Sequence, residues 1–272
     1  MAIRMGIIGC GRWMSRGHIG LLMASPDVGI VGLADPSDES IATLCATHPG
    51  LDDIPAFADH RAMLDAVKPD AVVIATPHTL HLEHAVDAFA AGCHVMLEKP
   101  MVTSVAEART LLAKRDEAGR ELLVAYQRHY TPAYRYVAAA IAGGDIGAVE
   151  YVAGLQTLHW TELTEGRWRQ DYALSGGGQM IDAGSHLFDS IMFAIDRDVA
   201  AVMAYQSGLT PGVDVNSAIA LRFAGGALAT IALVGMAPAG WWEDISFYGS
   251  DGAILIRTPG FGDWADATVT HR

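Results

Sequence analysis

The amino-acid sequence predicts an α/β chain in two parts, an N-terminal doubly wound parallel sheet and a C-terminal α+β part whose open sheet is mainly antiparallel. Three observations carry the prediction. As far as residue 142, short apolar runs alternate with segments of helical spacing, the pattern of right-handed βαβ crossovers. The first run ends in a Gly-x-Gly turn, Gly9-Cys10-Gly11. After Gly143-Gly144 come longer strand-like runs with Gly225-Gly226 between two of them, and strands joined by tight hairpins are antiparallel. The boundary is expected between residues 125 and 126, giving parts 1–125 and 126–272.

Ile3 to Ile8 is too short and apolar for a helix and reads as the first strand. After the glycine turn, Trp13, Leu21 and Leu22 carry helical spacing. Val28 to Ala34 is the second strand, followed by Asp35 and by a helix to Thr47 with Ser37 as its cap. A short strand at Pro55–Ala58 and a helix through Met63 to Val67 follow. Ala71 to Ala75 is apolar throughout, as a parallel strand buried on both faces should be. It stops at Thr76-Pro77, because proline cannot continue the ladder. The helix Leu80–Ala91 closes at Gly92, and the strand His94–Leu97 runs into Glu98-Lys99-Pro100. Helix Val105–Ala118, strand Leu122–Ala125 and helix Ala133–Ala142 complete the alternation.

In the second part, Val149–Leu158 is a strand, Gly176-Gly177-Gly178 a flexible turn and Asp182–Ile195 a helix. Strands are expected at Val199–Ser207, Val215–Phe223, Ala227–Val234 and Ile245–Tyr248, with a fifth at Ala253–Ile256. Neither face of the Val215–Val234 hairpin is polar, so both faces should be covered, one by the helix after Asp182 and the other by a second subunit.

Strand, Gly-x-Gly turn and helix form the context of a dinucleotide fingerprint, the basis of a Rossmann fold. Gly9 permits the tight turn. Gly11 lets backbone N–H groups approach a pyrophosphate at a helix N-terminus, and Cys10, Arg12 and Trp13 beside it are assigned to the cofactor. The third fingerprint position is Met14 rather than Gly or Ala. Asp35, 21 residues beyond Met14, can accept both ribose hydroxyls of NAD and would repel the 2′-phosphate of NADP. NAD is therefore favoured over NADP, and Arg12 is the residue that could reverse this.

Composition excludes other classes. The chain has 272 residues, 51% of them hydrophobic, and a formal net charge of −13 from 31 acids and 18 bases. That balance argues against nucleic acid and against anionic membranes, which select clustered Lys and Arg. Cys10, Cys45 and Cys93 are odd in number and lack metal-ligand spacing, which points to a reducing cytoplasm. The N-terminus already reads as strand rather than leader, and the most apolar region, 218–242, is broken by Arg222, glycines and Pro238. His78, His81 and His84 do not make a metal site, because six residues on a helix turn the outer two apart. Trp241-Trp242 suits packing more than ligand stacking.

These residues resemble the Gfo/Idh/MocA family of oxidoreductases over most of the chain. The resemblance rests on Gly9-Cys10-Gly11 with His18, on residues 72–77 followed by His81, and on 91–95 leading into Glu98-Lys99-Pro100. Trp168-Arg169 and Gly176-Gly177-Gly178 followed by Asp182 and His186 complete it. It implies a Rossmann domain, a C-terminal domain with an open sheet, and oxidation or reduction of a sugar, cyclitol or related polyhydroxylated small molecule. Lys99, Asp182 and His186 match the family's catalytic positions. Thr76, Pro77, His81, Glu98, Gln127, Trp168 and Arg169 match positions that contact the cofactor or line the cleft. The chain ends soon after residues 249–253, where relatives often continue with a strand and helix over the cleft.

Residue chemistry agrees with these roles. An imidazole titrates near neutrality and suits hydroxyl proton transfer, and Asp182, four residues before His186, can orient it on one helix face. Lys99 can stabilise the reacting oxygen. The expectation is an NAD-linked oxidoreductase that self-associates as a homodimer or larger homo-oligomer through the C-terminal sheet. An NAD-assisted glycoside hydrolase and a non-catalytic NAD-binding regulator remain as alternatives.

Overall fold

In a computed structural model, which describes residues 2–238, 240–260 and 266–272, the chain divides into two units, Met1–Ala125 and Tyr126–Arg272. The first contains strands β1 (Ile3–Ile8), β2 (Val28–Ala34), β3 (Ala56–Phe57), β4 (Ala71–Ile74), β5 (His94–Leu97) and β6 (Leu122–Val124). Its helices are α1 (Gly20–Ala24), α2 (Asp38–Thr47), α3 (His60–Val67), α4 (His81–Ala90) and α5 (Val105–Ala118). The strands form one parallel sheet in the order β3-β2-β1-β4-β5-β6, the Rossmann order.

The period-two alternation of side chains supplies two cores. Ile7 and Val73 point to the side of Met14, Ile19 and Leu44. Ile8, Val72 and Ile74 point to the side of Met63, Ala85, Phe89 and Leu111. Because each strand is apolar on both faces, helices must cover both. Ser37 caps α2 by accepting from Ser40 N–H at 3.1 Å, as its position predicts. The helix after the glycine turn differs from expectation: residues 14–19 are π-wound before α1 begins.

The second unit contains α6 (Pro132–Gly143), β7 (Val149–Thr157), α7 (Trp160–Leu163), α8 (Tyr172–Ser175) and α9 (Gly184–Ile195). Then follow β8 (Val199–Thr210), β9 (Val213–Phe223), β10 (Leu228–Val234), β11 (Trp242–Gly249), β12 (Ala253–Thr258) and β13 (Thr268–His271). The sheet order is β13-β12-β11-β7-β10-β9-β8, antiparallel except where β10 runs parallel to β7. Val137 of α6 and Leu187 and Ile191 of α9 pack with Ile219, Leu221, Ile231, Leu233, Ile245 and Phe247 of one face.

The opposite face, whose expected cover is a second subunit, is exposed among the described residues. Register places Tyr248, Tyr151, Leu228 and Arg222 in one row across it, and Leu228 and Tyr205 are 47% and 76% exposed. β8 extends three residues beyond its expected end and is exposed along its whole length. Among the described residues no helix is long and apolar enough to cross a membrane.

Candidate active site

The glycine turn has the shape a pyrophosphate cradle requires. Gly9 has φ +91°, and a Cβ there would lie 2.8 Å from the Ala75 carbonyl oxygen, so backbone conformation and space both demand glycine. A Cβ on Gly11 would meet nothing within 4 Å, which leaves the main chain on that side open to a ligand. Met14 is fully buried with Ile7, Leu33 and Leu44, so a larger side chain fills the strand–helix contact that a small third residue would otherwise close. The π winding at 14–19 is wider than an α-helical turn. Burial, and then the nearby Asp35, push the Cys10 thiol up to about 12, so it remains neutral.

Asp35 is pinned by the fingerprint itself. Its Oδ2 accepts from Cys10 N–H at 2.8 Å and its Oδ1 from Ser37 N–H at 2.9 Å. An open cleft of about 290 Å³ adjoins the turn, lined by Cys10, Gly11, Arg12, Ser15, Arg16 and Ser40 among others.

At the carboxyl end of β5, Glu98 Oε1 lies 2.6 Å from both Trp13 Nε1, which donates to it, and His18 Nε2. Burial alone would raise this carboxyl, but His18, the Lys99 ammonium and Trp13 together hold it below the ordinary range. Lys99 thus follows a buried carboxylate kept charged, and its own N–H donates to Glu98 Oε2 at 3.1 Å. At the end of β4, Thr76 Oγ1 and His84 Nδ1 are 3.0 Å apart. Pro77 precedes the short 3₁₀ turn His78–Leu80. His81 is buried with Nδ1 2.8 Å from Pro100 O and Nε2 3.1 Å from Thr76 O, and burial lowers its pKa despite those carbonyls. It is a fastener between two loops. Among the described residues no group of three or more His, Cys, Asp or Glu could hold a metal ion.

The second unit carries Gln127, Trp168, Arg169, Asp182 and His186. Gln127 opens a 3₁₀ turn, Gln127–Tyr130. The triple-glycine turn is clamped rather than flexible, because Asp214 accepts from Gly178 N–H at 2.9 Å and Met180 N–H at 2.8 Å. A Cβ on Gly178 would fall 1.9 Å from the Asp214 carbonyl oxygen, so only glycine lets β9 pass. α9 starts at Gly184, two residues later than expected, and Asp182 occupies the preceding turn. Its Oδ2 accepts from Trp160 Nε1 at 2.9 Å and Arg169 Nε at 3.1 Å, and the Arg169 guanidinium lies 4.3 Å from the Trp168 ring centre. Sequence reasoning missed Trp160, because its chain neighbours His159, Thr161 and Glu162 are polar and its apolar surroundings, Leu158, Ala183, Val213 and Val215, are assembled only by the fold. His186 is buried in the first turn of α9 with the Tyr126 ring edge-on at 5.7 Å. Trp242 packs under Arg257, 4.9 Å from ring centre to guanidinium, and Trp241 packs with Leu158, Trp160 and Val215.

Comparison with known proteins identifies the family. A family model described as "Oxidoreductase family, NAD-binding Rossmann fold" matches residues 3–126, and the "GFO/IDH/MocA C-terminal domain" matches residues 134–255. D-glucoside 3-dehydrogenase of Escherichia coli is 30% identical over 193 residues, 71% of this chain and 54% of that enzyme. D-xylose 1-dehydrogenase [NADP(+)] of Haloarcula marismortui is 27% identical over 98% of this chain and 75% of its own length. The chain thus spans about half of one relative and three quarters of the other. The WlbA dehydrogenase of Bordetella pertussis, solved with NADH and UDP-GlcNAcA, superposes with a TM-score of 0.86 at 27% identity, covering 94% of this chain and 74% of that one. With both family models matched in order across most of its length, this chain belongs to the Gfo/Idh/MocA family of oxidoreductases.

Proposed function

We propose that the protein is an NAD-linked oxidoreductase acting on a hydroxyl or carbonyl carbon of a sugar, cyclitol or related polyol. One arrangement carries the reading: the carboxyl ends of β1, β2, β4 and β5 bear Gly9, Asp35, Thr76 and Glu98-Lys99 on a single parallel sheet, where such sheets bind ligands. The relatives' names support the substrate class. When bound, the nicotinamide supplies the hydride acceptor or donor.

The chain's own residues do the rest. Gly9 and Gly11 admit the pyrophosphate to the main chain, and Asp35 takes the ribose hydroxyls. His186 accepts the hydroxyl proton at its imidazole in the oxidation direction, and returns it in the reverse. Lys99 donates to the same oxygen and stabilises its developing negative charge. Asp182, held by Trp160 and Arg169, keeps a fixed negative charge for His186. The test is a panel of sugars, inositols and sugar acids followed by nicotinamide absorbance. Net reduction of NAD with one class supports the reading. Glycosidic cleavage without net reduction, or tight cofactor binding with no turnover across the panel, overturns it.

The cofactor preference is NAD over NADP because the carboxylate of Asp35 is fixed in place by Cys10 and Ser37. The competing signal is the pair Arg12 and Arg16 at the adjoining cleft. Self-association covers the bare sheet face, whose exposed large residues include Met203, Tyr205, Leu228 and Tyr248, since a contiguous apolar face of this kind marks an interface. The odd number and scattered spacing of Cys10, Cys45 and Cys93 support a cytoplasmic setting.

A further inference from the structure

We propose that Arg128 and Glu243 are positioning residues for the segment Asp182–His186, and that their buried ion pair, through Gln156, fixes the main chain from which His186 projects. The inference rests on the catalytic role proposed above for His186. Arg128 and Glu243 are each 1% exposed and lie 115 residues apart in sequence. Their contact is two-pronged, with Nη1 to Oε1 at 2.7 Å and Nη2 to Oε2 at 2.9 Å. Glu243 also accepts from Gln156 Nε2 at 2.7 Å and from the Tyr134 hydroxyl at 3.1 Å. Burial raises the Tyr134 phenol, so it remains a donor. Four donors therefore saturate one carboxylate.

Two of those donors reach further. Gln156 Nε2 also contacts the Ala183 carbonyl at 3.2 Å. Arg128 Nη1 contacts the His186 carbonyl at 3.2 Å and Ser190 Oγ at 3.1 Å, and Ser190 Oγ donates to the same His186 carbonyl at 2.7 Å. The hub thus holds the carbonyls at both ends of the turn that starts α9. Global stability does not account for it, since an apolar set of equal volume is often as stable as a buried ion pair. What apolar side chains cannot supply is directed donors at carbonyls 183 and 186. Glu243 anchors those donors, because it takes both Arg128 and Gln156 by charge-assisted bonds.

Misplacement of a reacting group by about 1 Å can lower turnover on the order of a hundredfold. The test uses the full chain, with Arg128→Lys and the apolar pair Arg128→Met/Glu243→Leu. Thermal midpoint, NAD affinity, kcat and KM on a substrate from the panel, and amide hydrogen exchange over residues 184–190 are measured in each. The apolar pair should fold with unchanged NAD affinity, lose kcat by about a hundredfold with KM within a few-fold, and exchange faster at the start of α9 than elsewhere. Arg128→Lys, which keeps a charged donor, should fall between it and the wild type. Unaltered exchange over 184–190 in a folded variant overturns the proposal, as does near-normal kcat in that variant while His186→Ala is impaired. If the apolar pair does not fold, Arg128→Lys decides by the same readings. Full turnover by His186→Ala would instead refute the catalytic role of His186, and the exchange measurement would still judge the hub.

Discussion

His84 makes the stability of the first unit sensitive to acid through the same strand end that carries Thr76. Its pKa is lowered from the ordinary 6.5 to about 4, first by burial and then by the charge of His60, whose ring centre is 4.4 Å away. As pH falls below 6.5, the unfolded chain takes up a proton that folded His84 refuses. Stability is therefore full above 6.5, declines through the interval and levels off below about 4. At about 1.4 kcal/mol per pH unit the whole interval would remove roughly 3 kcal/mol. The ring is only partly buried, so solvent screening reduces this to about 2 kcal/mol. For a chain of this size that is roughly 4–8 °C in thermal midpoint. The assay is thermal unfolding at steps from neutral pH to about pH 4, for the wild type and for His84→Asn, which cannot titrate. The wild-type midpoint should fall by that much more than the variant's. Parallel declines in the two proteins, or an imidazole resonance of His84 titrating at the ordinary value, would refute the reasoning.

Three other substitutions separate the remaining claims. Asp35→Ser removes the carboxylate proposed to repel a 2′-phosphate and should narrow the proposed preference for NAD over NADP by about tenfold or more; direct titration of both cofactors measures it, and an unchanged ratio would contradict the assignment. Leu228→Asp, on the bare sheet face, should shift the sedimentation coefficient to that of a monomer at micromolar concentration without loss of fold. Ile231→Asp, whose side chain is buried on the opposite face of the same strand, should abolish folding, because an unpaired buried charge costs several kcal/mol. A wild-type protein already monomeric at that concentration would remove the basis for a covered face.

The parallel sheet was legible because β1, β4 and β5 are short apolar runs that each end in a residue proline or glycine chemistry marks, and only a two-faced core tolerates such runs. The place of Asp35, just past β2 and beside the glycine turn, was legible from its spacing. The clamp on the triple glycine was not, since Asp214 lies 36 residues from Gly178 and nothing local announces the pairing. Arg128 and Glu243 escaped for the same reason at greater separation. One signal was present: Glu243 shares the period-two phase of Ile245 and Phe247, both buried, and a carboxylate on a core face needs a buried partner. β13 was missed because Thr268–His271 is four residues of mixed polarity. The apolar composition of both hairpin faces was legible, and the cover expected for the second face is a second subunit, which lies outside a single chain.

The most direct test of the account is turnover and NAD affinity measured together for Lys99→Ala and His186→Ala on a substrate that the wild type oxidises. Each variant should lose turnover on the order of a hundredfold or more, because each removes a group proposed to act on the reacting oxygen. NAD affinity should change by no more than a few-fold, since the pyrophosphate and ribose are assigned to Gly9, Gly11 and Asp35. Near-normal turnover in either variant would contradict the mechanism.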